Sequence, residues 1–376
     1  MPPPDSPAIS HLALTDFRNY AELRLAVVSR TVVLTGPNGA GKTNLLEAVS
    51  LLTPGRGLRG AAHGEMCRQG GAAHWAVIAD LSPDDTRVAT SFGFDGNEES
   101  RKVAINGAAK RGTGVLGEYL RLLWLTPAMD RLFAGPASDR RRFLDRLVAV
   151  FDPEHSSRVL AFEKLMRDRN LLLEEHAPDG AWLSGLEAHM AEAGAAIAGA
   201  RLSGIEALQN FIDAQPRASA FPHGILSVEG EFEELMRSMP AVQAEDEYRK
   251  VLRASRGMDR AAGRTLKGPH RSDFTVVHGP KNMAANLCST GEQKALLIGL
   301  ILAQAHAVKT AAGVAPVLLL DEIAAHLDSA RRQGLFDELS RLGAQAWMTG
   351  TDAELFSDLG MEADRFHVEQ ARVLRM

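Results

Sequence analysis

Cysteine is nearly absent: the chain has two, Cys67 and Cys288, among 376 residues. No metal-ligand spacing links them and no disulfide framework can be built from them, which suits a reducing compartment. No apolar run approaches the roughly 20 residues that cross a bilayer. The Pro-rich start from Met1 to Ile9, with an acidic Asp5, lacks the basic and apolar blocks of a signal peptide. Together these absences predict a cytoplasmic chain with no membrane partner. An excess of positive charge is missing too. The net charge of -5 argues weakly against nucleic acid, although affinity for DNA follows the local placement of Lys and Arg rather than the total. No helix-turn-helix, zinc finger or aromatic-rich strand face stands out, which disfavours base-specific readout. Internal repeats and low-complexity tracts are also lacking. What is there is an ordinary globular composition, 45% hydrophobic and 24% charged, with length for one large or two moderate domains.

Patterning orders the chain. Residues 8–15 and 23–35 read as short strands, ending in the β-branched run Thr31 to Thr35. Gly36-Pro37-Asn38-Gly39-Ala40-Gly41 can only be a loop. From Lys42 to Leu52, Leu45, Leu46, Val49 and Leu52 fall at helical spacing. Residues 74–115 are strand-rich, with Asn106-Gly107 as a hairpin turn. Helical patterns then cover Asp139 to Leu173, interrupted near Asp152-Pro153, Trp182 to Phe211, and Glu231 to Arg256. Strand signals return at Phe274 to Val277, a helix at Glu292 to Lys309, and the most apolar short run at Val317 to Leu320. A nucleotide fold that opens, leaves for a helical block and returns implies one domain interrupted by another. The expectation is an α/β fold, a mixed sheet flanked by helices at 8–135 and 265–376, with an inserted helical lobe at 136–264; the motifs below give that head the look of an ABC-type P-loop ATPase.

Three motifs carry chemistry. In Gly36-x-x-x-x-Gly41-Lys42-Thr43 the glycines let backbone N–H groups converge on phosphates, and the following helix aims its positive end at the same anion. Gly36, Pro37, Asn38, Gly39, Ala40, Gly41, Lys42, Thr43 and Asn44 are therefore expected to hold ATP. Lys42 reaches the β- and γ-phosphates and the Thr43 hydroxyl ligates Mg2+. A Gly-rich turn before a helix is the plain alternative. Second, the apolar strand from Val317 to Leu320 delivers Asp321-Glu322 to its C-terminal edge, where α/β sheets bind ligands. Asp321 is the expected second metal ligand. Glu322, pointing elsewhere because side chains alternate, would orient or deprotonate the attacking water. Third, Cys288-Ser289-Thr290-Gly291-Glu292-Gln293-Lys294 looks like an ABC signature motif, with Ser289 and Gly291 at its Ser and second Gly. An N-capped helix explains the same residues structurally. Ala324-Ala325-His326-Leu327-Asp328 resembles the D-loop that follows the Asp-Glu pair in ABC proteins.

A wider set of elements resembles one family. Leu14 to Tyr20, Gly36 to Glu47, Gly55 to Arg59, Leu125-Thr126-Pro127, Gly135-Pro136 with Arg140 to Asp145, Gly268 to Asp273, Ser289 to Lys294, Asp321-Glu322 and Thr349 to Asp352 are similar, in order, to the motifs of the RecF family of ABC/SMC-type ATPases. That resemblance spans about residues 10 to 355. It implies an ATP-dependent homodimer on double-stranded and gapped DNA. Ser289 and Gly291 of one copy would cover the γ-phosphate held by the other, and weak, DNA-stimulated ATP hydrolysis would reset the clamp. It further implies roles in DNA repair, replication-fork maintenance and the SOS response, helping load RecA with RecO- and RecR-like partners.

The chain departs from the wider ABC pattern in places. Where most ABC ATPases have a switch histidine, it reads Trp347-Met348-Thr349-Gly350-Thr351, so a hydroxyl takes that role and hydrolysis should be slow. A Q-loop glutamine is not evident: Gln69 precedes a strand, and the stretch 126–132 has none. His326 can be a packing or a catalytic residue. Two basic segments, Arg140-Arg141-Arg142 with Arg146 and the run from Arg253 to Arg271, can be solvated faces, internal ion pairs or phosphate contacts. A transporter ATPase subunit would carry a clear Q-loop and switch histidine. A long-armed SMC protein would show sustained heptads. Intact Lys42, Asp321 and Glu322 argue against a vestigial ATP site.

Overall fold

The computed structural model describes residues 6–95, 98–175, 179–215, 219–359 and 362–376. The chain divides into two compact units. The first comprises the N-terminal part to Asp130, a short stretch ending at Pro222, and everything from Lys294 onward. It begins with strands β1 (Ala8–Phe17), β2 (Tyr20–Ala26) and β3 (Thr31–Thr35), followed by helix α1 (Lys42–Ser50). Strands β4 (Trp75–Ser82), β5 (Thr86–Asp95), β6 (Glu98–Ile105) and β7 (Ala108–Lys110) come next, then the short helix α2 (Leu116–Tyr119) and β8 (Leu122–Leu125).

The second unit, Arg131–Gln215 and His223–Gln293, holds helices α3 (Ala137–Ala149), α4 (His155–Glu174) and α5 (Gly180–Ala214). Strand β9 (Gly224–Glu229), helices α6 (Glu231–Ser238) and α7 (Ala241–Ala262), and strands β10 (Asp273–His278) and β11 (Met283–Ala284) follow. Helix α8 (Thr290–Ala312) starts there and runs back into the first unit. That unit then closes with β12 (Val317–Leu320), α9 (Ser329–Leu342), β13 (Ala346–Gly350), β14 (Asp364–Glu369) and β15 (Arg372–Arg375).

Within the first unit, β2-β1-β4-β5-β6-β7 form an antiparallel sheet and β15-β14-β3-β13-β12-β8 a mostly parallel one. One core joins them: Leu12, Leu14 and Phe17 of the first sheet, Leu45, Leu46 and Val49 of α1, and Val32, Leu319 and Trp347 of the second. From Leu45 to Ser50 every residue of α1 is buried, the apolar Leu45, Leu46, Ala48 and Val49 in the core and the polar Glu47 and Ser50 through hydrogen bonds. Phe17 packs edge-on against Trp75 at 5.6 Å between ring centres, a favoured aromatic geometry.

The second unit is not wholly helical, contrary to the expected lobe at 136–264. β9 pairs with β10, and β10 with β11, in a three-stranded antiparallel sheet. The strand at Phe274 to Val277, expected to return the chain to the head, therefore belongs to the inserted unit. The unit accordingly starts at Arg131 and ends at Gln293. The alternation in β9 spans only six residues, too short to stand out in the sequence. The helix expected over Glu231 to Arg256 breaks at Met239-Pro240, since proline restricts the residue before it.

The α4–α5–α7 packing surrounds a buried ionic cluster. Arg169, fully buried, donates to Glu187 (3.1 Å), Asp259 (2.8 Å), Thr265 (2.8 Å) and the carbonyl of Leu252 (2.7 Å). Helix α8 corrects one expectation: it is long and apolar enough to cross a membrane by composition. Most of it, Ala295 to Leu302 especially, is buried inside the protein, which marks a core helix. Cys67 and Cys288 are both free thiols.

Candidate nucleotide site

Sheet order assembles the site. β13 lies between β3 and β12, all parallel, so the loops after these three strands emerge side by side at the C-terminal edge. The loop after β3 is Gly36 to Gly41. Gly36 has φ 141, and a Cβ there would lie 2.1 Å from the carbonyl oxygen of Val368, so only glycine fits. Gly41 has φ 118 at the N-cap of α1, with no side-chain cap and no acid in the first turn. The first amides of α1 are thus left to an anion. Pro37, Asn38 and Gly39 form the exposed summit of the loop.

Lys42 is buried and folds back over the loop. Its Nζ donates to the carbonyls of Gly36 (2.6 Å) and Pro37 (3.0 Å). Burial pushes its pKa down, opposed by the negative charges of Glu322 and Asp321. Thr43 Oγ1 lies 3.0 Å from each carboxylate oxygen of Asp321. Across the sheet, Thr349 Oγ1 donates to Asp321 Oδ1 at 2.7 Å and accepts from the amide of Glu322 at 2.8 Å. Burial raises the Asp321 pKa, opposed by the hydrogen bonds from Thr349 and Thr43. Glu322 has φ 51, a strained left-handed conformation for a non-glycine residue. The structure therefore brings Lys42, Thr43, Asp321 and Glu322 together, with Thr349 among them.

A rear support was not singled out from the motif chemistry. Asn19 and Tyr20 donate to the carbonyls of Ala40 (3.2 Å) and Gly41 (3.2 Å). Asn44 donates to Asn19 at 2.8 Å. Arg18 makes two bonds, 2.8 and 2.7 Å, to the fully buried Glu47, and Arg59 adds a third at 2.7 Å. The Phe-Arg-Asn-Tyr element thus braces the glycine loop; its only signal in the sequence was family resemblance.

β8 pairs with β12 in parallel, and the Asp321 amide donates to Leu125 at 2.9 Å. Thr126 and Asp130 then line a small cavity with Asp321 and Lys294. Lys294 pairs with Asp130 at 3.1 Å. Gln69 is exposed in the turn after Arg68. The side chain of His326 lies outside the described residues.

Ser289 and Gly291 are exposed at the start of α8, in the second unit. The Ser289 amide donates to Glu292 Oε2 at 2.9 Å, and Ser289 Oγ accepts from the Glu292 amide at 3.4 Å. That is a capping box, and Lys281 pairs with the same Glu292 carboxylate. Lys281 and the Ser289 hydrogen bonds hold the Glu292 carboxyl at a pKa of about 2.

The first basic segment is largely internal. Arg140 binds Asp273 through two bonds of 2.7 and 2.6 Å, and Arg141 donates to the Ser272 carbonyl at 2.7 Å. Asp145 holds Arg201 bidentately at 2.8 and 2.9 Å, and Arg201 donates to the Pro269 carbonyl at 2.7 Å. The Arg-Arg-Arg-Phe-Leu-Asp and Gly-Pro-His-Arg-Ser-Asp elements are thus two halves of one framework. Arg146 is half-buried, its guanidinium 5.1 Å from the centre of the Phe143 ring, and its burial lowers its pKa to about 9. Arg142 remains on the surface beside Asp139.

Comparison with known proteins agrees with this architecture. The family described as "RecF/RecN/SMC N terminal domain" matches residues 8–372. A Mesorhizobium japonicum protein named "DNA replication and repair protein RecF" is 51% identical, covering 97% of each chain. A Rhizobium etli protein of the same name is 52% identical over 98% of this chain and 99% of the other. Among solved structures, a "recombination mediator protein RecF-ATPrS in RecFOR pathway" superposes with a TM-score of 0.83 at 23% identity, covering 99% of each chain. An SMC head domain with an extended coiled coil superposes at 0.52 and 16% identity.

Proposed function

The chain belongs to the RecF/RecN/SMC N-terminal domain family, and within it to the RecF proteins, and from that membership we propose that it serves DNA replication and repair as an ATP-operated, DNA-binding switch. The observation that carries this reading is the meeting of Thr43, at the start of α1, with both carboxylate oxygens of Asp321, at the end of β12. A hydroxyl and a buried carboxylate, with no Lys or Arg hydrogen-bonded to them among the described residues, suit a small oxygen-loving ion. Thr43 and Asp321 would hold a magnesium ion, which when bound neutralises phosphate oxygens as charge develops.

The remaining roles belong to the chain's own groups. Residues Gly36 to Asn44 wrap the triphosphate, and the uncapped amides of α1 face its charge. Lys42 exchanges the carbonyls of Gly36 and Pro37 for β- and γ-phosphate oxygens. Glu322 orients or deprotonates the attacking water. Thr349 has its hydroxyl engaged twice, so it steadies the two acids rather than sensing phosphate, in keeping with weak hydrolysis.

Ser289 and Gly291 of a second copy cap the γ-phosphate, which makes ATP part of a dimer interface. ATP then drives dimerisation only by its higher affinity for the dimer. Family membership supports duplex and gapped DNA as the dimer's partner, RecO- and RecR-like proteins as co-workers in loading RecA, DNA-stimulated turnover, and a cytoplasmic location.

Light scattering with ATP, magnesium and duplex DNA tests this reading. The wild type should double in mass with ATP, and Glu322→Gln should stay dimeric. Ser289→Arg should remain monomeric while still binding nucleotide. A wild type that binds ATP yet stays monomeric with and without DNA overturns the switch.

A further inference from the structure

From Arg249 to Arg271 the chain carries eight lysines and arginines and one acid, Asp259. That acid is buried and spent on Arg169, Ser255 and the Leu266 amide. Four of the eight are paired with carboxylates from outside the stretch, Arg249 with Asp246, Lys250 with Glu247, Arg256 with Glu187 and Lys267 with Glu231, which leaves the excess positive charge on the C-terminal half of α7 and just beyond it. Helix α7 buries Ala244, Tyr248, Leu252, Ser255 and Asp259, which by helical spacing sets Arg253, Arg256 and Arg260 in a row on its flank. Arg264 follows just past the Gly263 cap. Arg256 anchors the row by donating to Glu187 and Ser184 of α5. Arg253, Arg260 and Arg264 are exposed, and no carboxylate among the described residues pairs with them; Arg260 reaches only the Glu175 carbonyl, at 3.0 Å.

A second feature sits beside the row. Ala254, Gly257 and Ala261 form an exposed ridge of minimal side chains. Gly257 stands mid-helix, where glycine is the poorest residue short of proline. A Cβ there would meet no atom within 4 Å, so packing inside the chain does not call for glycine. The exposed Met258 falls, by spacing, on the opposite side from the arginines.

Resting on the DNA-binding reading above, we propose that the C-terminal half of α7 is the contact surface for the sugar–phosphate backbone of duplex DNA. Guanidinium forks match phosphate oxygens two at a time, and the small ridge lets the backbone come close. The row has no aromatic anchor of the kind protein interfaces centre on. Contacts of this class position DNA without reading its sequence.

The test is anisotropy of a labelled duplex of about 30 base pairs, titrated with the full chain in ATP and magnesium at several salt concentrations. Two variants are compared with wild type: the triple Arg253→Gln, Arg260→Gln, Arg264→Gln, and Gly257→Glu, which improves helix propensity and so cannot fail by unfolding α7. The triple variant should bind roughly tenfold or more weakly, equally on unrelated sequences, with the salt slope reduced by about three. Gly257→Glu should bind more weakly with an undiminished Tm, and both should still dimerise with ATP. Unchanged affinity and slope in a wild type that binds DNA would overturn this surface and leave the switch standing. Loss of binding to polyglutamate with DNA affinity intact would assign the row to an acidic protein and overturn it equally. Absence of duplex binding by the wild type in every nucleotide state would sink the DNA reading itself, and this surface with it.

Discussion

Thr349 Oγ1 stands 2.7 Å from Asp321 Oδ1 while accepting the Glu322 amide at 2.8 Å, so one buried hydroxyl orients the two acids on which the site depends. Valine has nearly the shape of threonine without the hydroxyl. Thr349→Val should therefore lower the rate of ATP hydrolysis about ten- to a hundredfold, the usual effect of losing an outer-shell partner, and Thr349→Ser should restore most of it. Steady-state phosphate release and magnesium-free nucleotide binding, measured together, separate this from a folding defect. Wild-type turnover in the valine variant would dismiss the role.

Gly36→Ala should damage the phosphate loop itself. The added Cβ meets the Val368 carbonyl at 2.1 Å, on backbone that cannot swing away as a side chain could. We expect stability to fall by about 1–3 kcal/mol and ATP affinity to fall with it. Gly39→Ala, where a Cβ meets nothing within 4 Å, should be milder in stability, as denaturant titration of both variants can verify.

Arg169→Met should be among the most damaging changes in the second unit. It leaves the buried carboxylates of Glu187 and Asp259 short of their shared cation. Breaking such a buried set typically costs about 3–5 kcal/mol. Chemical denaturation followed by circular dichroism reports it. A loss under about 1 kcal/mol would mean that Arg256 alone compensates Glu187.

Arg140→Gln separates framework from DNA contact. Arg140 is bonded bidentately to Asp273 and to the Phe133 carbonyl at 3.3 Å. The variant should lose about 1–3 kcal/mol of stability, yet bind duplex DNA as wild type does at temperatures where it is folded. Weakened DNA binding at unchanged Tm would reassign this arginine to the nucleic-acid surface.

Acid should weaken the fold through His270. Its Nε2 faces the Thr265 carbonyl at 2.9 Å, so that nitrogen carries the proton, and the ring packs on Phe162. Burial lowers its pKa to about 4, against 6.5 for a free histidine. The unfolded chain therefore binds the extra proton first. The neutral ring's contribution is complete above pH about 6.5 and disappears as pH falls towards about 4, by about 2–3 kcal/mol. Comparing urea midpoints at several pH values for wild type and His270→Gln checks it; parallel curves would exclude His270 as the source.

The motifs whose parts are contiguous in the chain could be read without a structure. Gly36 to Thr43 needs only its own backbone and the helix it starts, and an apolar run ending in Asp321-Glu322 needs only the alternation of a strand. The RecF-like elements were equally legible, but not their purpose. Arg18, Asn19 and Tyr20 support a loop about twenty residues on, and Arg140 meets Asp273 across 133 positions of sequence; no periodicity encodes such distances. The short strand β9 was invisible because it becomes a strand only by pairing with β10.

Sequence alone determined that this chain carries a phosphate loop, a paired-acid strand end and an interrupted α/β domain, because local backbone chemistry specifies each. Tertiary structure decided which groups meet: β13 slots between β3 and β12 and so sets Thr349 against Asp321. It also decided which arginines are consumed by carboxylates inside the fold and which face water. Both outcomes depend on partners supplied by distant segments, and only folding brings those segments together.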